Sequence, residues 1–349
     1  MQLAVGLRAR GLSQHVVSLS ELDTLAAESR TAGIDVTKLN APLTKKAVDL
    51  MQLARRLQPR VLQGWMYHGN FAATFCHYVC GGRHDRKLFW NLRASNMDET
   101  RYGRIIRIGG LLSRLPDIVI ANSEVGAAFH RGCGFHAKRF LVIDNGIDSD
   151  KFRPDPVLRK QVRSEWGMAE NAVLAIHVAR VDPMKDHASL LAAMAQVPSV
   201  SAFLVGSGTE DLELPPNVRA LGLQQDVARL LPAADIIVST SAFGEGFSNA
   251  VAEGMSAGLI PIATDVGDSR RIVGDTGSIV PPRDPLAMAR AIATTAALPS
   301  DERRRKGALA RERISSRFSL ALAVERYFKL YTEDVGSYQP RGSLSELRE

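Results

Sequence analysis

The sequence predicts an α/β chain built as two Rossmann-like halves, and three observations carry that expectation: its length, an alternation of apolar strands with helical segments, and a break near residue 147. The length comes first, because 349 residues exceed what one ordinary core organises and suit two units of roughly 150 to 180 residues. A hydrophobic content of 45%, a charged content of 23% and a mean hydropathy of −0.06 describe a soluble globular chain. The alternation is visible throughout. In the first half, His15-Val-Val-Ser-Leu, Arg60-Val-Leu-Gln, Lys87-Leu-Phe-Trp-Asn-Leu, Asp117-Ile-Val-Ile-Ala and Phe140-Leu-Val-Ile-Asp read as buried strands. In the second, Ala172-Val-Leu-Ala-Ile-His-Val, Ser201-Ala-Phe-Leu-Val, Val218-Arg-Ala-Leu-Gly, Asp235-Ile-Ile-Val-Ser and Ile260-Pro-Ile-Ala repeat the pattern. Strands separated by helix-length segments predict parallel sheets with crossover helices.

The break is Asn145-Gly-Ile-Asp148 followed by Lys151-Phe-Arg-Pro-Asp-Pro156, a turn signal running into an aperiodic stretch. Residues 1–147 are therefore expected to form one domain and 148–319 the second. A last helix at 320–334 is expected to pack back toward the first domain, and 335–349 to form a flexible tail. The first domain opens unusually. Leu3, Val5-Gly-Leu7 and Arg10-Gly11 read as an amphipathic helix closed by a glycine, whereas a doubly wound domain opens with a strand and a glycine-bearing turn. The expectation is that this first strand is missing.

Charge is uneven. Lys and Arg exceed Asp and Glu by 44 to 37 overall, by 20 to 13 over residues 1–150, and stand at 24 to 24 over 151–349. A basic first half suits an anionic membrane surface or a phosphorylated, lipid-linked acceptor, and a merely solvated basic face also fits. Nucleic acid is not expected: aromatics make up only 6%, and Arg303-Arg-Arg-Lys306 lies in a charge-mixed helical segment. No apolar run approaches the ~20 residues of a membrane span, and the N-terminus has no signal-peptide pattern. A cytoplasmic location follows by default, with peripheral contact on the cytoplasmic face of the membrane. Cys76, Cys80 and Cys133 are too few for a disulfide framework. Cys76, His77, Cys80 and His84 lack zinc-site spacing, so no metal is expected, and Cys76 and Cys80 read as packed thiols one helical turn apart.

Chemistry concentrates after two strands of the second half. Ser241-Ala-Phe-Gly-Glu-Gly-Phe-Ser-Asn249 follows a strand and opens a helix expected to start near Phe247, with Glu245 just before it and Glu253 about two turns in. Free amides at such a start, backed by the helix dipole, attract an anion, and Gly244 and Gly246 permit close approach of a diphosphate. Carboxylates set this far apart can accept bonds from the hydroxyls of two ends of one ligand, or simply form a solvated face. They are too far apart for a retaining glycosidase pair. Arg180 and Lys185, in Ala179-Arg-Val-Asp-Pro-Met-Lys-Asp186, sit at the carboxyl edge of the sheet, where two cations can neutralise a leaving diphosphate. A surface ion pair with Asp182 or Asp186 is the plainer reading.

Together these segments resemble the family-4 glycosyltransferases, a retaining group with the GT-B fold of two Rossmann-like domains facing across a cleft. Glu245 and Glu253 match its Glu-x7-Glu motif, Arg180 and Lys185 its cation pair, and Asn145-Gly-Ile-Asp148 its inter-domain turn. Asn122-Ser-Glu, Val205-Gly-Ser-Gly, Leu221-Gly-Leu-Gln-Gln-Asp-Val and Gly277-Ser-Ile-Val-Pro-Pro are also similar, over residues 3 to 333 in all. The resemblance implies metal-free, cofactor-free transfer from a UDP- or GDP-sugar with retention. Arg180 and Lys185 would hold the departing phosphate, Glu253 the ribose, Glu245 the donor sugar, and the amides of Gly246, Phe247 and Ser248, with Asn249, the diphosphate. Leu223 would lie in the loop that holds the base. On the acceptor side it implies His68, in Gln63-Gly-Trp-Met-Tyr-His-Gly-Asn70, and Arg93, in Asn91-Leu-Arg-Ala-Ser-Asn96; a structural histidine and a salt bridge remain open for these two. The implied acceptor is a glycan or lipid-linked glycan of surface polysaccharide or lipopolysaccharide synthesis. The alternative is an impaired remnant that binds the donor without transfer.

Overall fold

β-Branched and aliphatic runs bounded by turn residues pair in parallel wherever a helix can return the chain to the same sheet edge. In the computed structural model, which describes residues 1–19, 32–80, 85–95 and 99–333, two such assemblies form. The first half runs α1 (Gln2–Ala9), β1 (His15–Ser18), β2 (Asp35–Lys38), α2 (Leu43–Leu57), β3 (Val61–Trp65), α3 (Met66–Val79), β4 (Lys87–Leu92), α4 (Glu99–Leu112), β5 (Ile118–Ala121), α5 (Glu124–Gly132) and β6 (Phe140–Val142). The second runs α6 (Pro156–Glu165), β7 (Leu174–Val178), α7 (His187–Ala195), β8 (Ser201–Val205), β9 (Val218–Ala220), α8 (Val227–Leu230), β10 (Ile236–Ser239), α9 (Asn249–Ser256), β11 (Ile260–Thr264), α10 (Ser269–Val273), β12 (Ser278–Val280), α11 (Pro285–Ala296) and α12 (Ser300–Arg317). A final helix, α13, spans Leu320–Glu333.

The second half is one continuous six-stranded parallel sheet in the order β12-β11-β10-β7-β8-β9. That is the doubly wound arrangement, with the first strand at the centre where the winding reverses. Buried residues cover both faces: Ile176, Phe203, Ile237 and Val251 on one, Leu190, Met194, Leu204 and Ile262 on the other. The base of β10 is tied down by a buried ion pair. Arg163, 1% exposed, donates to Asp235 at 2.8 Å and to the carbonyls of Ala169, Ala172 and Ala233. Asp235 also accepts the Leu174 N–H at 2.9 Å, so α6, β7 and β10 share one anchor.

The first half is divided. β3-β4-β5-β6 form a four-stranded parallel sheet, and β1-β2 a separate two-stranded one. By the order seen in the second half, a central strand would lie between β1 and β3; among the described residues β1 pairs with β2 alone and β3 with β4 alone. The sequence reading lacks β2. Asp35-Val-Thr-Lys38 offers only two half-buried side chains between charged ends, and it pairs residue for residue with His15–Ser18. His15 Nε2 and Thr37 Oγ1 lie 2.8 Å apart across this ladder. Cys76 and Cys80 are buried against Leu50, Met51 and Ala54, where lost hydration and the neighbouring Cys80 push the Cys76 thiol up to about 12. His84, Asn96 and the tail lie outside the described residues.

α13 crosses back to the first half. Its Val324, Tyr327 and Leu330 join Leu7, Phe89, Ile120 and Ile143 in one core, and Tyr327 takes a 2.6 Å bond from the buried Asn91 amide. Both crossings between halves lie side by side: Ile147 N–H donates to the Phe318 carbonyl and Leu320 N–H to the Ile147 carbonyl, each at 2.8 Å. Among the described residues no helix is long and apolar enough to cross a membrane.

Candidate active site

The loops that leave the carboxyl ends of the two sheets meet, and most of the sequence-selected residues lie where they meet. After β7 the chain turns through Arg180, Asp182 and Lys185. Asp186 takes a left-handed conformation, with φ of 46°, and caps α7 by accepting the Ser189 N–H at 3.2 Å. Asp and Asn tolerate this region better than other residues with a Cβ. The turn aims Lys185 at the loop after β10. Its ammonium donates to both oxygens of Glu245 at 2.9 Å, with the two side chains 20% and 12% exposed. Lys185 and Glu245 thus act on one spot, although they are 60 residues apart in sequence. Arg180 is 64% exposed and pairs with Asp182 at 3.0 Å, so the plain ion pair holds for it in this conformation.

Beneath Lys185 lie His177 and His187, buried, with rings 4.8 Å apart and nearly perpendicular. Burial first, then the neighbouring His187, holds the His177 imidazole down to about 3, and burial lowers His187 as well. Both are therefore neutral at physiological pH, so the charge above them is carried by Lys185 rather than by either imidazole.

The helix expected near Phe247 begins two residues later. α9 starts at Asn249 with Ser248 as its cap residue, and Phe247 instead turns into the core, edge-on to Phe318 with centroids 5.4 Å apart. Burying that ring outweighs starting the helix early. The amides left free at the helix start are therefore those of Ser248 through Val251, displaced from the expected Gly246–Ser248 set. Glu253 lies one turn into α9, not two. Its carboxyl is pushed up to about 7 by burial, against a smaller opposing pull from Lys151. A carboxyl poised near neutrality, among few competing partners, can accept ligand hydroxyls. Leu223, in the loop after β9, is 74% exposed and closes no apolar core.

Gly244 and Gly246 earn their places through protein contacts. At Gly244, with φ of +77°, a Cβ would lie 2.9 Å from the Met184 sulfur. At Gly246 it would lie 3.0 Å from Asn122 Oδ1 and 3.1 Å from Ser123 Oγ, both of the first half. This close approach is one of several seams between halves among the described residues. Ser95 Oγ donates to the Glu245 carbonyl. Asp268 accepts the N–H groups of Glu124 and Val125 at 3.1 and 3.0 Å, capping α5 from the other half. Asn145 joins the two sides: its amide donates to Asn249 at 2.8 Å, and its oxygen accepts from Arg93 at 2.5 Å.

Among the described residues Arg93 forms no salt bridge. It lies 5.2 Å over the Trp65 ring and is bonded to Asn145, and its burial lowers its pKa. His68 sits exposed in the first turn of α3, just past β3. The turn that presents it is strained, since Met66 holds φ at +59°, a position costly for a residue with a long side chain. The Met66 sulfur accepts the Arg93 backbone N–H at 3.3 Å, which links His68 and Arg93 through one turn. Ser95 and Asp268 were not singled out from sequence. Val266-Gly-Asp-Ser269 nevertheless carries the strand, glycine and cap-residue signal that marks the other loops of this edge. Among the described residues no three His, Cys, Asp or Glu side chains group as a metal site would require.

Residues 172–297 match the family model of the glycosyl transferases group 1. The chain is 30% identical over 214 residues to the phosphatidyl-myo-inositol mannosyltransferase of Mycolicibacterium smegmatis, covering 56% of this chain and 53% of that one. It is 33% identical over 211 residues to the D-inositol 3-phosphate glycosyltransferase of Geodermatophilus obscurus, covering 52% and 46%. The chain spans about half the length of the curated relatives it matches. Among solved structures it resembles HepE of Anabaena in complex with UDP-glucose, with a TM-score of 0.84 at 21% identity over 95% of each chain. It also resembles the sucrose-phosphate synthase of Thermosynechococcus elongatus, with a TM-score of 0.80 at 19% identity over 95% and 91%.

Proposed function

We propose that this chain, whose residues 172–297 are a group 1 glycosyltransferase domain within a GT-B fold, moves a sugar from a nucleoside diphosphate sugar to a glycan or lipid-linked acceptor. The observation that carries the reading is the Lys185–Glu245 pair at the mouth of α9, with Glu253 one turn behind it. In this reading residues 148–319 bind the donor and 1–147 form the acceptor side. The diphosphate lies over the amides of Ser248 through Val251, where partial positive charge accumulates. Lys185 then leaves Glu245 to meet the phosphate, and Arg180 swings from Asp182 to join it; two cations on the leaving oxygen favour departure. Glu245, released, accepts donor-sugar hydroxyls, while Glu253 accepts those of the ribose and Leu223 borders the base.

UDP is the favoured nucleotide, since HepE binds UDP-glucose, and GDP is the alternative. The family-4 pattern implies retention, with the departing phosphate helping to take the acceptor proton on the same face. His68 and Arg93 border that face. Mannosyl and inositol-linked transfer among the relatives supports a lipid or surface-glycan acceptor and a peripheral position on an anionic membrane, in a cytoplasmic protein. A second reading, donor binding without transfer, is favoured by the divided first-half sheet beside the acceptor side.

Thermal unfolding with UDP- and GDP-sugars tests the donor site: a ligand at 100 times its Kd adds about 2.7 kcal/mol. No shift with either nucleotide sugar refutes the donor site. A shift with no product on lipid-linked acceptors selects the second reading, and anomeric NMR of any product decides retention.

A further inference from the structure

The first-half basic excess has a structural focus. On α4 and the turn after it, the exposed residues are Arg104, Arg107, Ile108, Leu111 and Arg114. At 100° per residue these fall within an arc of about 120°, one face of the helix. Leu111 is 82% exposed and Ile108 49%, the former more than any other large hydrophobic described. Exposed apolar side chains grouped on one face mark an interaction surface, where ones scattered singly do not. The three arginines make no ion pair among the described residues, and the sequence places no acid between Glu99 and Asp117.

α3 packs beside α4 and extends the face. Phe75, Tyr78 and Val79 are 39%, 57% and 46% exposed, and the Tyr78 hydroxyl donates to the Leu115 carbonyl at 3.4 Å, fastening the ends of the two helices. α3 carries no acidic residue. Beyond these ends, Lys87, Lys138 and Arg139 line a hollow whose one acid, Asp117, is engaged by the Leu88 N–H. The result is an apolar strip rimmed by cations, the composition of a helix lying in a bilayer interface.

We propose that the α3–α4 face docks on an anionic lipid bilayer, Leu111 and Ile108 entering the acyl boundary while Arg104, Arg107 and Arg114 meet lipid phosphates. This rests on the acceptor-side reading above and gives it a geometry. His68 opens α3 at the cleft, and the Arg93–Ser95 segment leads from β4 toward α4, so one pair of helices runs from the cleft to the docking face. A lipid-borne acceptor would reach the cleft along them. Charge complementarity separates this occupant from a second copy of the chain, whose matching face would oppose arginine to arginine across a two-fold axis.

The test is vesicle co-sedimentation of the full chain, with phosphatidylcholine alone and with about 30% phosphatidylglycerol. Binding is expected only to the anionic vesicles, weakening between about 50 and 300 mM salt. Arg104→Gln with Arg107→Gln and Arg114→Gln should lower the partition coefficient about 100-fold, roughly fivefold per arginine. Leu111→Gln, at so exposed a site, leaves the fold intact and should lower it about tenfold. No binding to anionic vesicles, or equal binding by these variants, overturns the docking face. So does a dimer dissolved by Leu111→Gln without any vesicle binding. Unfolding shifts with UDP-sugar, followed in the same variants, keep the two readings apart: an intact shift without vesicle binding refutes the surface alone, and an absent shift refutes the donor site.

Discussion

The two halves follow one winding rule and differ in completeness and in how their functional groups are held. In the second half, six strands pair without interruption, and Lys185 and Glu245 hang from loops, and Glu253 from α9, rooted in a doubly covered core. In the first, two sheets share the work, and segments near the proposed acceptor side are tied across the seam: Arg93 through Asn145, which bonds Asn249, Ser95 to the Glu245 carbonyl, and α5 to Asp268. A site rooted in its own sheet is set by its own domain. A site held across a seam depends on how the domains meet. The donor side should therefore tolerate changes in the first half, whereas the acceptor side should respond to changes in either.

The largest effect that would break this contrast is at Lys185. Lys185→Ala removes a half-buried cation from Glu245 and, in the proposed reading, from the leaving phosphate, and should lower kcat by about 10² to 10³. Donor-consumption assays read it, and a loss under tenfold would remove Lys185 from the reaction. Next is pH. If only ionised Glu253 binds the ribose, a pKa of about 7 makes donor affinity rise roughly tenfold from pH 6 to pH 8. Calorimetry should find that slope absent in Glu253→Gln.

Folding should respond in the opposite sense. Because burial raises this carboxyl in the native state, its ionisation opposes folding: the cost is absent below the unfolded pKa near 4.5, grows across the window to about 7, and is full above it. Glu253→Gln should gain stability over wild type at pH 8 and lose that advantage near pH 5, in denaturant titrations. A smaller effect sharpens the seam. Arg93→Ala should raise acceptor KM about fivefold, an ordinary hydrogen-bond loss, and leave donor KM unchanged. A matching rise in donor KM would show that the halves do not divide the substrates. Gly246→Ala should cost least, a fewfold in turnover, because Asn122 and Ser123 need give only tenths of an ångström.

What could be read from sequence tracks this same division. Eleven strands follow from apolar runs between turn residues or from the family resemblance, including all six of the second half, because buried parallel strands are almost continuously hydrophobic. β2 escapes, since a short edge strand with charged ends has no such run. The residues proposed for the donor side could be picked out because most lie in loops that follow a strand, or in the helix those loops open, where glycine and cap residues announce the turn. The Phe247 displacement was not, because whether an aromatic opens a helix or fills a core depends on Phe318, 71 residues away. Asp268, Ser95 and the Asn145 bridge are contacts between distant segments, and local pattern is blind to their partners.

The paired crossings at Ile147 and Ser319 carry a mechanical consequence. A single linker would let the halves swivel freely, like a ball joint. Two strands of backbone bonded to each other, the Ile147 N–H to the Phe318 carbonyl and the Leu320 N–H to the Ile147 carbonyl, behave as a door hinge with one axis. Opening about that axis would draw Ser95 from Glu245 and Asp268 from α5, while Lys185 and Glu245, mounted on the same leaf, would travel together.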